Sequence, residues 1–305
     1  MNNPTAEIAL NFPGYCETRG GSGMGPAAYS FSLDESLRKR LDRVPGLYRL
    51  CRAYCAGEIP RQKRMAQMNS TRVSPSQFGE IYQMTLDCAR TLGIGVPDVY
   101  LLSDAALVNA WTYAFDDEAP VVFITSALVE RFTRDELKFT IGHECGHIHC
   151  RHGVYSTAAS ILEMAGTLGA GGLGAGLAAL LSVSMRLALL SWIRAAEVTC
   201  DRAGMLCVGD AGPALTTLSK FMSGAIFGEG ELSPEEAAGQ LESVKETPVR
   251  LLELSYDHPI PARRILAAKA FAESEVFSRA HPERGAANPI DKERLDQLCA
   301  GYVRL

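Results

Sequence analysis

Two histidines four residues apart, with a glutamate behind the first, constrain this chain more than any other feature. They stand in the run His143-Glu144-Cys145-Gly146-His147. Residues at i and i+4 share one face of a helix and lie one turn apart. On a helix, the two imidazoles can therefore point ring nitrogens at one divalent ion. Glu144 is adjacent to the first of them and can hold and deprotonate a water at that ion. A catalytic zinc needs three protein ligands and one open position. The later run Glu197-Val198-Thr199-Cys200-Asp201 offers Glu197 as the third. The expected cofactor is one Zn²⁺ per chain, held by His143, His147 and Glu197. Asp201, one turn beyond Glu197, is placed to accept the second N–H of a ligating histidine and so fix its tautomer. The competing reading for Asp201 is an ion pair with Arg194 or Arg202.

Composition sets the frame for that motif. The chain has 305 residues and 47% hydrophobic content, enough for one large domain or two smaller ones. A formal net charge of −5 gives no global basic field, which argues against nucleic acid as a partner. Nine cysteines without a framework spacing read as reduced thiols, consistent with a cytoplasmic location. The N-terminal stretch is polar and rich in Gly and Pro and lacks the pattern of a signal peptide. Residues 1–31 read as a mobile tail. Its Cys16 is a thiol that could reach a zinc site, although a free surface thiol is the simpler reading.

The pattern of apolar residues places the motif. Helices are expected over Ser32 to Leu50, Leu47 to Gly57 and Ser74 to Leu92, the last capped by Ser74 with Pro75 at its first position. Short strands are expected at Val99 to Leu102, Asn109 to Phe115 and Val121 to Thr125, with a turn at Asp116-Asp117-Glu118. Thr133-Arg134-Asp135-Glu136 fits a capping box that opens the motif helix. Further helices are expected at Leu187 to Val208, Pro213 to Phe227, Pro261 to Phe277 and Lys292 to Val303. Gly228 to Pro248 reads as an acidic connection. The predicted fold class is α+β and predominantly helical, with a small, mostly antiparallel sheet beside the motif helix.

Other candidate ligands weigh less. His149 and His152 lie two and five positions past His147 and read as surface or helix-end residues. Cys145, Cys150 and Cys200 read as core packing, since Cys145 points to the other side of the helix. Gly204 would let its helix pack closely on the motif helix.

These residues resemble the gluzincin metallopeptidases of the HtpX, Oma and CAAX-prenyl-endopeptidase type. Four stretches carry the likeness: Asn109-Ala110; Pro120-Val121-Val122-Phe123-Ile124-Thr125-Ser126 leading into the motif; Glu197 to Gly204; and His258-Pro259 followed by Arg264-Ile265. The resemblance covers residues 70 to 275 or so and implies a zincin-type fold and a zinc-dependent endopeptidase. The residue types already give Glu144 as the general base that takes the water's proton and later delivers it to the leaving amine; the resemblance implies Glu197 as the third ligand and Asp201 as its companion. It implies an edge strand at Asn109, Ala110 and Trp111 to which a protein or peptide substrate adds as a further strand. By the same analogy His258 stabilises the oxyanion or occupies the open zinc position at rest; a plain helix-starting His-Pro turn is the alternative. Arg264 would bridge to Asp201 or to substrate. A catalytically silent or chaperone-like zinc module of the same fold is the competing function, and the intact Glu144 argues against it.

The implied organisation is a tail at 1–31, a helical segment at 32–70, a peptidase domain at 71–280 and an extension at 281–305. Many members of the resembled family are integral to membranes. Here Met164 to Met185 is uncharged. A single crossing would place His147 and Glu197 on opposite sides. Two crossings need about 40 apolar residues, because one span takes about 20. The expectation for 154–193 is instead an apolar helical hairpin turning at its glycine cluster. It would offer a surface for peripheral membrane contact or a homodimer.

Overall fold

The computed structural model describes residues 27–115, 118–159, 181–224, 233–236, 239 and 260–303. His258, Cys16 and the glycine-rich turn of the expected hairpin lie outside the described residues, as do most of the acidic connection and residues 116–117.

The chain opens with α1 (Ser32–Asp42) and α2 (Leu47–Asn69), then β1 (Ser70–Arg72), α3 (Gly79–Leu92) and β2 (Asp98–Leu102). There follow β3 (Ala110–Phe115), β4 (Glu118–Thr125), α4 (Ser126–Arg131) and the motif helix α5 (Arg134–His149). After residue 180 come α6 (Val183–Val208), α7 (Gly212–Ser223), α8 (Pro261–Ala272), α9 (Glu275–Ala280) and α10 (Lys292–Val303). The fold is α+β and mostly helical, as the pattern predicts.

The sheet has four strands in the order β1-β2-β4-β3. β1 pairs antiparallel with β2 and β3 antiparallel with β4, but β2 and β4 run parallel, from Asp98↔Val121 to Leu102↔Thr125. The sheet is therefore mixed. The parallel pair needs no crossover helix, because β3 reverses the chain on the outer side of β4. Central β4 is buried on both faces, with Val121, Val122, Phe123 and Ile124 all at 3% exposure or less. That is why it reads as a continuous apolar run rather than an alternation. Val122 and Ile124 join the main core, while Val121 and Phe123 join Tyr100 on the far face.

Several boundaries differ from expectation, each for a local reason. Ser74 does not cap α3. Its N–H and carbonyl exchange hydrogen bonds with Gln77 (2.8 and 3.0 Å), closing a turn, and Phe78 enters the helix from the left-handed region at φ 56°. The predicted helix from Pro261 to Phe277 is broken at Glu273, where Ser274 caps a new helix by accepting from the Phe277 amide. The tail ends earlier than residue 31, since Tyr29 and Phe31 are buried in the core. Asn109 precedes β3 rather than starting it.

α1, α2, residues 153–159 and the first half of α6 share a second core around Leu41, Leu47, Tyr155 and Trp192. Val183 and Leu187 at the start of α6 are exposed. Among the described residues no helix is long and apolar enough to cross a membrane.

Candidate metal centre

The motif helix is anchored at its start. The Thr133 hydroxyl accepts from the Glu136 amide at 3.3 Å and the Glu136 carboxylate accepts from the Thr133 amide at 2.8 Å, the reciprocal capping box. Lys220 of α7 then donates to the same Glu136 oxygen at 2.6 Å in a buried ion pair. From Glu136 to Ile148 every residue of α5 except the half-buried Lys138 is buried. The helix is thus central and enclosed, rather than amphipathic with one apolar stripe.

Glycines set how close α6 comes. A Cβ on Gly142 would sit 2.8 Å from the Cys207 Cβ, and one on Gly146 would sit 2.8 Å from the Ala203 Cβ and 3.1 Å from the Cys200 Cα. On the other side, a Cβ on Gly204 would meet the Phe139 carbonyl oxygen at 2.7 Å. Backbone against backbone, the two helices bring Glu197 up to the histidines. Gly204 does what its position suggests; Gly142 and Gly146 complete the contact from the motif side.

The result is a buried constellation. His143 Nε2 lies 3.3 Å from Glu197 Oε2, and His147 Nε2 lies 3.2 Å from Glu197 Oε1. Donor atoms bound to one tetrahedral zinc at 2.0–2.2 Å stand about 3.3–3.5 Å apart. The two imidazoles and the carboxylate thus have the spacing, burial and chemistry of a zinc ligand set. His143, His147 and Cys200 also form a group close enough for one ion. However, Cys200 Sγ sits 3.5 Å from Nδ1 of His152, toward the Nδ1 side of His147. Burial pushes its thiol pKa well up, and the Glu197 charge adds to that. Glu197 is the residue whose carboxylate oxygens meet the Nε2 atoms of both histidines.

His143 Nδ1 lies 3.0 Å from Asp201 Oδ1. With Nδ1 committed to this carboxylate, Nε2 is the nitrogen turned toward Glu197 and available to an ion once it has lost its proton. Arg264 from α8 donates twice to Asp201, and its Nη1 lies 3.2 Å from Glu197 Oε2. Burial alone would raise the Asp201 pKa; the Arg264 guanidinium and the His143 ring outweigh it and lower it. Asp201 is therefore not part of an ion pair with Arg202, which instead pairs with Asp296 at 2.8 Å. Glu144 accepts a 2.7 Å hydrogen bond from the Thr112 hydroxyl on β3.

His152 is not a surface residue. It is 1% exposed, its Nδ1 is 3.3 Å from His147 Nδ1, and its Nε2 is 3.2 Å from Asp34 Oδ2 on α1. The helix-face argument fails here because α5 has already ended. Arg151 is left-handed at φ 57°, the His152 amide donates to the His147 carbonyl and the Arg151 amide to the Ile148 carbonyl. That is a Schellman turn, which folds the residue after the left-handed position back onto the last helical turn. His149 does lie at the helix end, where its Nδ1 meets the Tyr29 hydroxyl at 2.7 Å. Thr112 and Asp34 carry no recognisable signal in the sequence, whereas the five-residue step to His152 at a helix end was a legible one.

Residues 75–272 match the Peptidase family M48. The chain is 30% identical over 234 residues to a plastoglobule-localized metallopeptidase 48 of Arabidopsis thaliana, covering 73% of this chain and 66% of that one. It is 33% identical over 84 residues to a Protease HtpX homolog of Pediococcus pentosaceus, covering 28% of each. It is 27% identical over 191 residues to another from Ralstonia nicotianae, covering 55% of this chain and 66% of the relative. The matched stretches thus span under two thirds of these curated relatives' lengths. No solved structure matches. The matched segment contains the His143–Glu197 constellation and accounts for most of the described fold, and on that ground the chain belongs to peptidase family M48.

Proposed function

We propose that this chain is a zinc-dependent endopeptidase whose metal is held by His143, His147 and Glu197. The observation that carries the reading is the pair of Nε2–carboxylate separations, 3.3 and 3.2 Å, in a buried site next to Glu144. A bound zinc acts as a Lewis acid on a carbonyl oxygen and lowers the pKa of a water it holds toward ~7. The chain's own residues do the rest. Glu144 is the proton acceptor and later the donor to the leaving amine nitrogen. Its Oε2 is fixed by Thr112, which leaves Oε1 for the proton. Asp201 holds His143 in the tautomer that keeps Nε2 bare, and Arg264 holds Asp201 and Glu197 in place.

β3 is the sheet's edge, which supports a substrate bound as an added strand. Asn109, Ala110 and Trp111 do not serve it equally. Asn109 spends its N–H and carbonyl on Thr125. Paired residues alternate along an antiparallel ladder, so Trp111 also turns its main chain toward β4. Ala110 and Thr112 then offer theirs to the open edge. Beyond them the edge closes, because Gly153 approaches the Ala114 carbonyl so tightly that a Cβ would lie 2.6 Å from its oxygen.

The test is casein cleavage by full-length protein with and without a chelator, beside a Glu144→Gln variant of measured zinc content. Chelation should stop cleavage and zinc should restore it. Losing the general base should cost about 10²–10⁴-fold in rate with zinc retained. Equal cleavage by wild type and Glu144→Gln would reject the assignment.

A further inference from the structure

We propose that Asp34 and His152 are positioning residues of the metal site, acting on His147 through a buried chain of hydrogen bonds. The proposal rests on His147 being a ligand. Asp34 lies on α1, upstream of the segment 75–272 that matches the family. The described structure thus brings into the site a carboxylate that the matched segment does not contain.

Proton placement follows from what each atom can do. Asp34 is 3% exposed. Its Oδ1 accepts from Trp192 Nε1 at 2.9 Å and its Oδ2 from the Thr199 hydroxyl at 2.7 Å. A carboxylate only accepts, so the His152 nitrogen 3.2 Å from Oδ2, Nε2, carries a proton. The other nitrogen of a neutral His152 is then an acceptor. Two donors converge on it: His147 Nδ1 at 3.3 Å and the weaker thiol of Cys200 at 3.5 Å. With its proton on Nδ1, His147 presents a bare Nε2 to the ion. His143 reaches the same state through Asp201. The two histidines are therefore oriented by different means, one by a carboxylate directly and the other by a carboxylate acting through a second imidazole.

α1 is fixed where this requires. Arg38, one turn after Asp34, donates to the Cys150 carbonyl at the end of α5 at 2.7 Å, and the Phe31 amide donates to the Thr199 hydroxyl at 3.1 Å. The Schellman turn at Arg151 supplies the other half by folding His152 under His147.

In Asp34→Asn the amide can donate to His152 Nε2. His152 then carries its proton on Nδ1, opposite the Nδ1 proton of His147, and favours the tautomer of His147 that cannot bind through Nε2. The experiment measures zinc affinity of full-length protein by competition with a chromophoric chelator, together with the visible absorption of the cobalt-substituted form. Asp34→Asn and His152→Phe should bind zinc about 10–100-fold more weakly with an altered cobalt spectrum. His152→Gln keeps an acceptor oxygen for the His147 proton and should recover most of the affinity. Tyr29→Phe, which removes a contact of the same segment to His149, should leave both readouts at wild type. Circular dichroism of each variant separates loss of fold from loss of ligand geometry, and the Phe/Gln pair at 152 keeps the test decisive if Asp34→Asn fails to fold. Wild-type affinity and spectrum in both Asp34→Asn and His152→Phe overturn the proposal. If His147→Ala also binds zinc like wild type, the ligand assignment itself is wrong, and the proposal goes with it.

Discussion

Arg264 grips Asp201 with two hydrogen bonds, Nε to Oδ2 at 2.8 Å and Nη2 to Oδ1 at 2.6 Å, and both side chains are buried. The planar fork matches the carboxylate, and the remaining nitrogen is left for Glu197.

Removing one member of such a pair leaves an uncompensated buried charge. Arg264→Ala should destabilise the chelator-treated protein by about 3–5 kcal/mol. Arg264→Lys should recover part of this, since it keeps the charge and loses the fork. Zinc should shrink the deficit, because the ion supplies positive charge to Glu197. Urea unfolding with and without metal checks all three. An Arg264→Ala protein as stable as wild type without metal would show that the pair is not the clasp described here.

The close approach of α5 and α6 makes an opposite-signed pair of predictions. Gly146→Ala should cost about 1–3 kcal/mol by overpacking against Ala203. It should also weaken metal binding, because any separation of the helices carries Glu197 away from both imidazoles. Gly57→Ala, inside α2 with nothing within 4 Å of the added Cβ, should instead stabilise by up to about 1 kcal/mol. Thermal melts of the two variants should move in opposite directions.

That His143 would lie beside His147, and Glu197 beside Asp201, could be read from sequence because each pairing depends on spacing within one helix. His143 with His147 and Glu197 with Asp201 are i, i+4 pairs, and the capping box at Thr133 fixes where the helix of the histidines begins. What the sequence hid depends on meetings between elements. No period indicates that β2 lies parallel beside β4, or that Thr112 of an edge strand reaches Glu144. Asp34 looks like one more polar residue of an amphipathic helix. The short β1 (Ser70–Arg72) continues directly from α2 and has only three residues, too few to show an alternation. His152 is hidden for a different reason: a helix-face argument does not extend past the left-handed Arg151, which ends α5 before it.

Thr112 should matter to the rate and not to the metal. Its hydroxyl donates to Glu144 Oε2 at 2.7 Å, and a hydrogen bond to a charged group contributes about 1.5–3 kcal/mol. Thr112→Val keeps the shape and β propensity of the residue and removes the donor. The expected result is a kcat lowered by about 10–100-fold at unchanged zinc content, the same free energy expressed as a rate. Peptidase assays alongside metal analysis decide it, and a rate within twofold of wild type would remove Thr112 from the machinery.

Acidity ties metal uptake to proton release. Burial alone would lower the His143 pKa, but the Glu197 carboxylate and then Asp201 raise it from 6.5 to about 10 in the metal-free protein. Because the folded value is the higher one, protonated His143 stabilises the metal-free fold. That contribution is complete below pH 6.5 and is lost as pH rises through about 10. Chelated protein should therefore unfold at lower denaturant at pH 10 than at pH 7, and His143→Gln should flatten this slope. Zinc needs Nε2 bare, so loading at pH 8 should expel a proton from His143. Calorimetric titrations of zinc in two buffers of different ionisation enthalpy measure it directly. Heats that are identical after correction for zinc–buffer binding would mean that the imidazole was already neutral and that the two carboxylates do not hold a proton there.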